Sequence, residues 1–484
     1  MKKSLAQNSF YNMIYQTLSF IFPLITSIYV SRIIFEDGIG KVAYAQNITS
    51  YFTTFASLGI PIYGIREISK VRNKKEEKNK IFSELIIINS ISTLFSIVLY
   101  FIFLILFINK KDDFFLYLAT GLVLFFNFFN IDWFYQGEEE YGYITIRSFI
   151  IKIVLLLFLF LFVHAKRDYI LYALITSLGV VFNYTFNAFH SKKMVKIVFF
   201  KLKIKKHIKP IIFLAITIFL GTIYSKLDIT MLGLMSTESN IGYYSNANKI
   251  ILMLLTGCQA VSASFLPRLS YLFHKNKSAF DNLINTGLEI ILFIVVPATT
   301  GLLILAKKIV IVLYGEAFLP ASVCLQIFAP LLIIRPVGDL LCYQLLISMN
   351  MEKKRIPAYV IATIANFLMN FFLIPYMKED GAALASLISE LLVNGIQLRI
   401  VTKLIKISIR KKYVFKVFFS SVLMGLIVSL ATIFSGDSAI SILFTTLLGI
   451  LIYILINIIL KNEIIQIGLS RVNSFLQEYK VNKE

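Results

Sequence analysis

The chain has 484 residues, of which 58% are hydrophobic and only 15% are charged. A soluble globular domain is nearer half apolar and a quarter charged, so this composition excludes an ordinary soluble enzyme and indicates a membrane protein. The formal net charge of +21 would point to nucleic acid in a soluble protein. In a membrane protein the positions of basic residues matter more than their sum, and we expect no nucleic-acid partner.

The N-terminal segment carries Lys2 and Lys3 ahead of an apolar run that begins at Phe10 and reaches Tyr29. This run is too long for the apolar part of a signal peptide, and no cleavage site of small residues follows it. We therefore predict that it is the first transmembrane span.

A helix that crosses the hydrocarbon core needs about 20 mostly apolar residues, and about fourteen windows meet this condition. They lie near 9–31, 41–63, 82–108, 114–135, 144–163, 168–190, 211–233, 243–266, 281–305, 322–348, 356–376, 381–403, 414–434 and 438–460. With the N-terminus inside, 32 of the 48 Lys and Arg residues fall in inside segments and 8 in outside loops. This excess predicts that both termini are cytoplasmic.

A basic stretch at 191–210, with eight lysines, separates two sets of six spans. The segments that open spans 2 and 8 both begin with Ile-Gly, at Ile39 and Ile241, which is a short match between the halves. We predict an all-α polytopic membrane helix bundle with two six-helix lobes in a parallel pseudo-repeat. Its parts are an N-lobe (1–190), a cytoplasmic linker (191–210), a C-lobe (211–403), two further helices (404–460) and a cytoplasmic tail (461–484).

Ionisable residues inside the predicted spans are candidates for function, because a charge at membrane depth usually faces a water-filled cavity or a partner. These residues are Asp132, Arg147, Lys152, Lys226, Asp228, Lys249, Glu289, Arg335, Asp339, Glu390 and Arg399. Asp132, Arg147 and Arg399 lie near predicted cytoplasmic helix ends, and we expect their charged groups to extend to the interface.

Two arrangements remain open for the deeper charges. Lys226 with Asp228, and Arg335 with Asp339, can form local ion pairs, and the spacing of four residues in the second pair permits it. The alternative is a cavity of net positive charge that attracts an anionic headgroup. Its cations would be Lys152, Lys226, Lys249 and Arg335.

Spans 2 and 8 are unusually polar. Their side chains can hydrogen-bond sugar hydroxyls in a cavity, or they can only pack between helices. The residues concerned are Gln46, Asn47, Thr49, Ser50, Thr53, Thr54, Ser245, Asn246 and Asn248.

Motifs for nucleotide binding and hydrolysis are missing from the sequence. The segment 37–42 lacks the glycine spacing and hydroxyl of a P-loop, and neither HExxH nor a nucleophile elbow is present. The cysteines Cys258, Cys324 and Cys342 lie in apolar stretches and are predicted to be small hydrophobic side chains. We expect no catalytic residue, metal or cofactor, and transport that is not driven by ATP bound to this chain.

Four segments carry a resemblance to a known family. They are 29–40 (YVSRIIFEDGIG), 58–68 (LGIPIYGIREI), 132–147 (beginning DWFYQGEEEY and ending ITIR), and 226–249, with KLDITMLG, GYY and AxK. In order and spacing they resemble the Wzx-type polysaccharide repeat-unit flippases of the multidrug/oligosaccharidyl-lipid/polysaccharide (MOP) exporter superfamily. The resemblance runs over nearly the whole chain.

The resemblance implies twelve or fourteen helices in two lobes around a cationic lumen, in a bacterial plasma membrane. The implied substrate is an undecaprenyl-diphosphate-linked oligosaccharide for capsule, surface polysaccharide or teichoic acid, made and used by glycosyltransferases and a polymerase. The cations at matching positions are Arg32, Arg66, Arg147, Lys226 and Lys249. Some members need an ion gradient, and coupling to H+ or Na+ would use Asp228, Asp339 or Glu289.

Two other functions are a multidrug antiporter and a membrane enzyme, and the sequence offers little for either. Multidrug antiporters of the same superfamily rely on a carboxylate in the first half of the bundle, and the first span, 10–31, contains none. A membrane glycosyltransferase or polymerase needs paired carboxylates on outside loops. The acidic pairs Glu36-Asp37 and Glu379-Asp380 are the candidates, and both lie on short turns. The sequence therefore favours a flippase and not an enzyme.

Overall fold

The computed structural model describes residues 5–108, 110–349, 351–405 and 407–466. All regular secondary structure within these ranges is helical, as predicted. The first ten α-helices are α1 (Leu5–Ser57), α2 (Ile60–Val71), α3 (Lys75–Phe107), α4 (Lys111–Phe125), α5 (Asp132–Gly137), α6 (Tyr141–Phe162), α7 (Tyr169–Ser191), α8 (Lys205–Met235), α9 (Glu238–Ala263) and α10 (Leu266–Lys275). The others are α11 (Lys277–Tyr314), α12 (Ala321–Phe328), α13 (Leu331–Gly338), α14 (Leu345–Ser348), α15 (Ile356–Thr402), α16 (Lys411–Phe434) and α17 (Ala439–Ile459), with a π-helical segment, Asp339–Gln344, before α14.

Eleven helical segments of the described residues are long and apolar enough to cross a membrane. These helices expose many large apolar side chains, whose contact with water would be unfavourable. Ile105 of α3 is 74% exposed, Leu161 of α6 is 64% exposed and Ile440 of α17 is 80% exposed. Only lipid covers such surfaces favourably, so the chain is a multi-pass membrane protein.

Two long helices break at a residue with positive φ. In α1 the break is at Phe35 (φ 57°, ψ −173°), and in α15 it is at Lys378 (φ 51°, ψ −126°). A non-glycine residue in this region cannot continue a right-handed helix, so each long helix consists of two helical halves. Pro375, three residues before the second break, also removes a helical hydrogen bond.

Two predicted spans have different ends in the structure. The span predicted at 41–63 ends at Ser57, because Leu58 has a φ of 48° and α2 begins at Ile60 with Pro61 in its first turn. The span predicted at 114–135 ends as α4 at Phe125, and the chain then forms a short 3-10 helix before α5. Local breaks of this kind leave no mark in a hydropathy average.

The chain folds into two compact units, residues 1–245 and 246–484. The core of the first unit contains an aromatic cluster in which the ring of Phe82 lies 5.0 Å from Phe134 and 5.8 Å from Trp133. Gly64 of α2 lies against this cluster, and a Cβ there would be 2.5 Å from Trp133 Cε3. Two segments that carry the family resemblance, 58–68 and 132–147, therefore pack together as α2 and α5.

The second unit is built around α11. Leu288, Ile291 and Val295 of this helix are fully buried, with Leu345 of α14 and Val417 of α16 in the same core. The two C-terminal helices, α16 and α17, pack against each other and against α11. The predicted boundaries of the lobes remain a prediction, and the predicted tail beyond residue 466 lies outside the described residues.

Candidate functional site

A polar cleft of about 180 Å3 lies within the first unit. The second half of α1 contributes side chains at spacings of three and four residues, which place them on one helix face. Seven of its nine lining residues carry a hydroxyl or amide group: Gln46, Thr49, Ser50, Thr53, Thr120, Thr176 and Ser177. A cleft of this kind offers hydrogen-bond donors and acceptors without fixed charge, which suits sugar hydroxyls.

The floor of this cleft is held by a buried hydroxyl network. Thr49 Oγ1 lies 3.0 Å from Thr120 Oγ1 and 3.1 Å from the hydroxyl of Tyr100, which donates to the carbonyl of Tyr117 at 2.7 Å. Beside it, Gln46 Nε2 donates to Thr176 Oγ1 at 3.2 Å. The polar face predicted for span 2 therefore lines a cleft and also packs between helices, and Gln46 and Thr49 do both.

A second polar contact joins α1 to α8. Asn47 Nδ2 donates to Thr230 Oγ1 at 2.8 Å and to the carbonyl of Lys226 at 3.3 Å, and the Tyr51 hydroxyl lies 2.9 Å from Thr230 Oγ1. These bonds fix the rotation of α8 beside the polar face of α1. They leave the ammonium group of Lys226 without an ion-pair partner among the described residues.

The local pair Lys226–Asp228 that the sequence allowed is not formed. Asp228 is buried and accepts a hydrogen bond from the Tyr244 hydroxyl at 2.8 Å. Residues two apart on a helix point in nearly opposite directions, so Lys226 and Asp228 face different neighbours.

The prediction that Arg147 extends to the interface is wrong. Its side chain is 7% exposed, and Nη2 lies 3.4 Å from Asp132 Oδ1 while Nε donates to Asn183 Oδ1 at 3.1 Å. Asn187 donates to the same Asp132 oxygen, and the guanidinium carbon lies 5.6 Å from the ring centre of Tyr143. Asp132 at the start of α5 therefore draws the guanidinium inward, although Nη1 makes no hydrogen bond within the described part.

The other candidate cations of the first unit, Lys152, Arg32 and Arg66, differ in burial and in their partners. Lys152 of α6 is half-buried with its ammonium 6.0 Å from the Phe22 ring, and it has no carboxylate partner among the described residues. Arg32 is exposed near the break in α1. Arg66 is 58% exposed and lies 3.4 Å from Glu67. Partial burial opposes ionisation of Glu67, but Lys70 and Arg66 together lower its pKa.

In the second unit, Lys249 Nζ donates to Asn246 Oδ1 at 3.1 Å. Asn246 is fully buried, and its carbonyl accepts from the Tyr314 hydroxyl at 3.3 Å. Lys249 is half-buried. The polar start of span 8 thus orients this lysine through a neutral amide, and its positive charge is not cancelled by this contact.

Arg335 does not pair with Asp339, although their spacing of four residues would permit the pair. Its Nη2 lies 3.0 Å from Glu390 Oε1 on α15, whereas Asp339 accepts from Gln344 Nε2 at 3.2 Å. The reason is that α13 ends at Gly338 and a π-helical segment begins at Asp339, so the alignment of an ideal helix is lost.

Glu289 has a partner that sequence reasoning missed. The carboxylate is 3% exposed and accepts from Arg410 Nε at 2.8 Å and from Nη2 at 2.5 Å. The Tyr413 hydroxyl donates to the Glu289 carbonyl at 2.8 Å, and Arg410 also contacts Glu463. The hydrogen bonds to Glu289 raise the pKa of Arg410. Glu289 is thus one half of a structural ion pair.

A second missed cluster joins the predicted linker to α3. Glu84, which is 2% exposed, lies 2.6 Å from His207 Nε2, and His207 Nδ1 lies 2.8 Å from the Tyr63 hydroxyl. The backbone N–H of Lys203 also donates to Glu84 at 2.5 Å. These three residues are distant in sequence, and only contacts between helices bring them together.

No three His, Cys, Asp or Glu side chains within the described ranges are close enough to hold a metal ion. Of the three cysteines, Cys324 and Cys342 are buried and Cys258 is half-buried.

The model of the family described as "Polysaccharide biosynthesis protein" matches residues 5–273. The chain belongs to this family. The match covers both segments that pack as α2 and α5, the polar face of α1, and Lys226 of α8.

Relatives of the family are named as transporters and flippases. An O-antigen transporter of Escherichia coli (strain K12) is 22% identical over 403 residues, which are 83% of this chain and 97% of that protein. A low-salt glycan biosynthesis flippase, Agl15, of Haloferax volcanii is 24% identical over 241 residues, 49% of this chain and 51% of that protein.

Solved structures with the same fold are also transporters. The inward closed lipid II flippase MurJ matches with a TM-score of 0.67 at 18% identity, over 92% of this chain and 99% of that chain. An inward-facing multidrug resistance MATE family transporter of the MOP superfamily matches with a TM-score of 0.63 at 13% identity, over 79% and 93%. These likenesses establish the fold.

Proposed function

We propose that this protein is a flippase and not an enzyme. It moves an undecaprenyl-diphosphate-linked oligosaccharide from the inner to the outer leaflet for surface polysaccharide, capsule or teichoic acid assembly. Family membership, the names of the two relatives and the MOP-type fold support this proposal. Multidrug transport has support only from fold likeness at 13% identity, and no feature of the described residues favours it.

We propose that the chain crosses the membrane fourteen times. The eleven membrane-length segments include Lys353–Thr402, which breaks at Lys378 into two halves, and α1 adds two more halves around Phe35. An even number of crossings leaves both termini on one side. The excess of Lys and Arg in the inside segments supports a cytoplasmic location for the termini in a bacterial plasma membrane.

One observation carries the proposal. A cleft of hydroxyl and amide groups occurs in the same unit as two half-buried lysines, Lys152 and Lys226, that lack a carboxylate partner among the described residues. Sugars need the first kind of group and a diphosphate needs the second. A core held only by structural pairing would have neutralised these lysines, as Arg147, Arg335 and Glu289 are neutralised.

In the proposed mechanism, the glycan and diphosphate enter a water-filled cavity while the polyprenyl tail stays in lipid. The ammonium groups of Lys152 and Lys226 replace water around the diphosphate and lower the cost of its transit. Alternating access then exposes the headgroup on the other side. Arg32 and Arg66 are exposed, and the proposal gives them a role at the entrance of the cavity.

Coupling to H+ or Na+ is assigned in this proposal to Asp228 and Asp339. Both accept hydrogen bonds from neutral groups, Asp228 from the Tyr244 hydroxyl and Asp339 from Gln344 Nε2. Glu289 is less suitable because Arg410 holds it with two hydrogen bonds.

The test is export of surface polymer in a bacterium that lacks its own flippase and carries the matching pathway. We expect Lys226→Glu and Lys152→Glu to abolish surface polymer and to accumulate lipid-linked oligosaccharide, because a carboxylate repels the diphosphate. Lys226→Arg should retain export. Lys307→Glu, at an exposed lysine of α11 with no ion-pair partner in the described part, is the matched control.

All variants are compared at equal amounts of full-length protein in the membrane. Normal polymer from both charge-reversed variants would refute the role of these lysines. Failure of the unaltered protein to flip a fluorescent lipid-linked oligosaccharide in proteoliposomes would refute the function itself.

A further inference from the structure

An apolar groove of about 720 Å3 lies on the first unit, between α3 and α8 and beside the end of the second half of α1. We call it the α3–α8 groove. Its walls are almost entirely hydrocarbon, with Ile91 and Phe95 on α3 and with Ile208, Ile212 and Phe219 on α8. It is separate from the polar cleft, which lies between α1, α4 and α7.

One end of this groove is strongly basic. Ile204 and Ile208 line the groove, and the lysines that alternate with them along the chain are exposed. Lys203, Lys205 and Lys209 have no ion-pair partner among the described residues. Lys206 differs, because its Nζ lies 3.7 Å from Glu84.

The basic end is held in place and is not a loose linker. Glu84 binds His207 and the backbone N–H of Lys203, and the N–H of Val198 donates to Ser83 Oγ at 2.8 Å. This attachment leaves Phe199 80% exposed and Phe200 75% exposed. Exposed phenylalanine rings next to lysines are typical of segments that lie at the level of the lipid headgroups.

The length of the groove matches one leaflet. From Ile204 to Leu220, the residues that line the groove span about 24 Å at ~1.5 Å per residue. One leaflet with its headgroup region is about 20–22 Å thick, so the groove is about as long as one leaflet. Hence the groove is long enough for an acyl chain of one leaflet, while a polyprenyl tail that extends through the bilayer would exceed it.

We propose that the α3–α8 groove binds one anionic phospholipid of the bilayer. Its phosphate group lies at Lys203, Lys205 and Lys209, and an acyl chain follows the groove toward Leu220. The charge of the three lysines selects an anionic headgroup over a zwitterionic one. This lipid site goes beyond the proposed function, because its occupant is a bulk lipid and not the transported molecule.

The experiment uses the full-length protein in detergent without lipid-linked oligosaccharide. Phosphatidylglycerol and phosphatidylcholine with the same acyl chains are titrated separately, and bound lipid is counted by native mass spectrometry. The first variant is Lys203→Gln/Lys205→Gln/Lys209→Gln. Its matched control is Lys403→Gln/Lys411→Gln/Lys412→Gln, which removes three exposed lysines away from the groove. A second variant, Ala215→Trp, fills the groove.

We expect tight binding of one phosphatidylglycerol that weakens about a hundredfold in the first variant, since each lysine near a headgroup contributes a factor of about five. The control should bind as the unaltered protein does, and Ala215→Trp should lose the bound lipid while melting as a folded protein. Equal binding of both lipids, or no effect of the groove lysines, would overturn the proposal. Displacement of phosphatidylglycerol by equimolar undecaprenyl diphosphate would also overturn it and assign the groove to the substrate tail.

Discussion

The buried pair of Arg147 and Asp132 gives the sharpest prediction about stability. Replacing Arg147 with methionine keeps an unbranched apolar stem but removes the cation, the contact with Asp132 and the hydrogen bond to Asn183. Removing one partner of a buried ion pair costs about 3–5 kcal/mol. Asp132 is 23% exposed and keeps its donor, Asn187, so we expect a loss of about 2–3 kcal/mol.

The assay is unfolding of the purified protein in mixed micelles of detergent and SDS, followed by circular dichroism. A double-mutant cycle of Arg147→Met, Asp132→Asn and the double variant isolates the pairwise energy. We expect the double variant to recover much of the stability lost in Arg147→Met, because no unpaired carboxylate then remains. Export of surface polymer by the double variant would show that Arg147 acts through the fold and not through the substrate.

Two results would refute this reasoning. A loss below about 0.5 kcal/mol for Arg147→Met is the size expected of an ordinary exposed ion pair, and it would mean that the guanidinium extends to the interface after all. Absence of coupling in the cycle, with a large loss in each single variant, would mean that the two side chains act independently.

The remaining predictions concern packing and the second unit. Gly64→Ala should destabilise the protein by about 1–3 kcal/mol in the same assay, because its methyl group meets Trp133, whereas Gly257→Ala, with open space around it, should be neutral or stabilising. Equal effects of the two alanine substitutions would contradict the packing argument. Arg410→Met should cost about 3–5 kcal/mol because it leaves Glu289 buried and unpaired, and Glu289→Met in the same chain should restore most of the loss. Without that rescue, Arg410 would owe its effect to Glu463 or Tyr413.

The membrane character of the helices could be predicted from the sequence because lipid requires it locally. Each apolar window of about 20 residues contains its own evidence, whatever it packs against. The family resemblance also depended only on residues in order along the chain. The short helix α5 shows the limit, since the segment beginning at Asp132 carries part of the family resemblance, but its packing against Gly64 of α2 was not predictable.

The partners of the charged residues were mostly not predictable. Arg335 was expected near Asp339 or in a cavity, and it binds Glu390, which is 55 residues away. Arg147 was expected at the interface, and Asp132 holds it inside. In each case the deciding contact joins residues whose helices meet only after folding, so spacing along one helix does not specify it.

From the sequence alone follow a helical membrane protein, its family, and the polar face of α1. The tertiary structure decided which cations are neutralised and which are not: Arg147, Arg335 and Arg410 have carboxylate partners, whereas Lys152 and Lys226 have none in the described part of the chain. The physical reason is that the hydrophobic effect depends only on whether a helix as a whole lies in lipid or in water. An ion pair depends instead on the rotation of one helix against another, which contacts between distant residues determine.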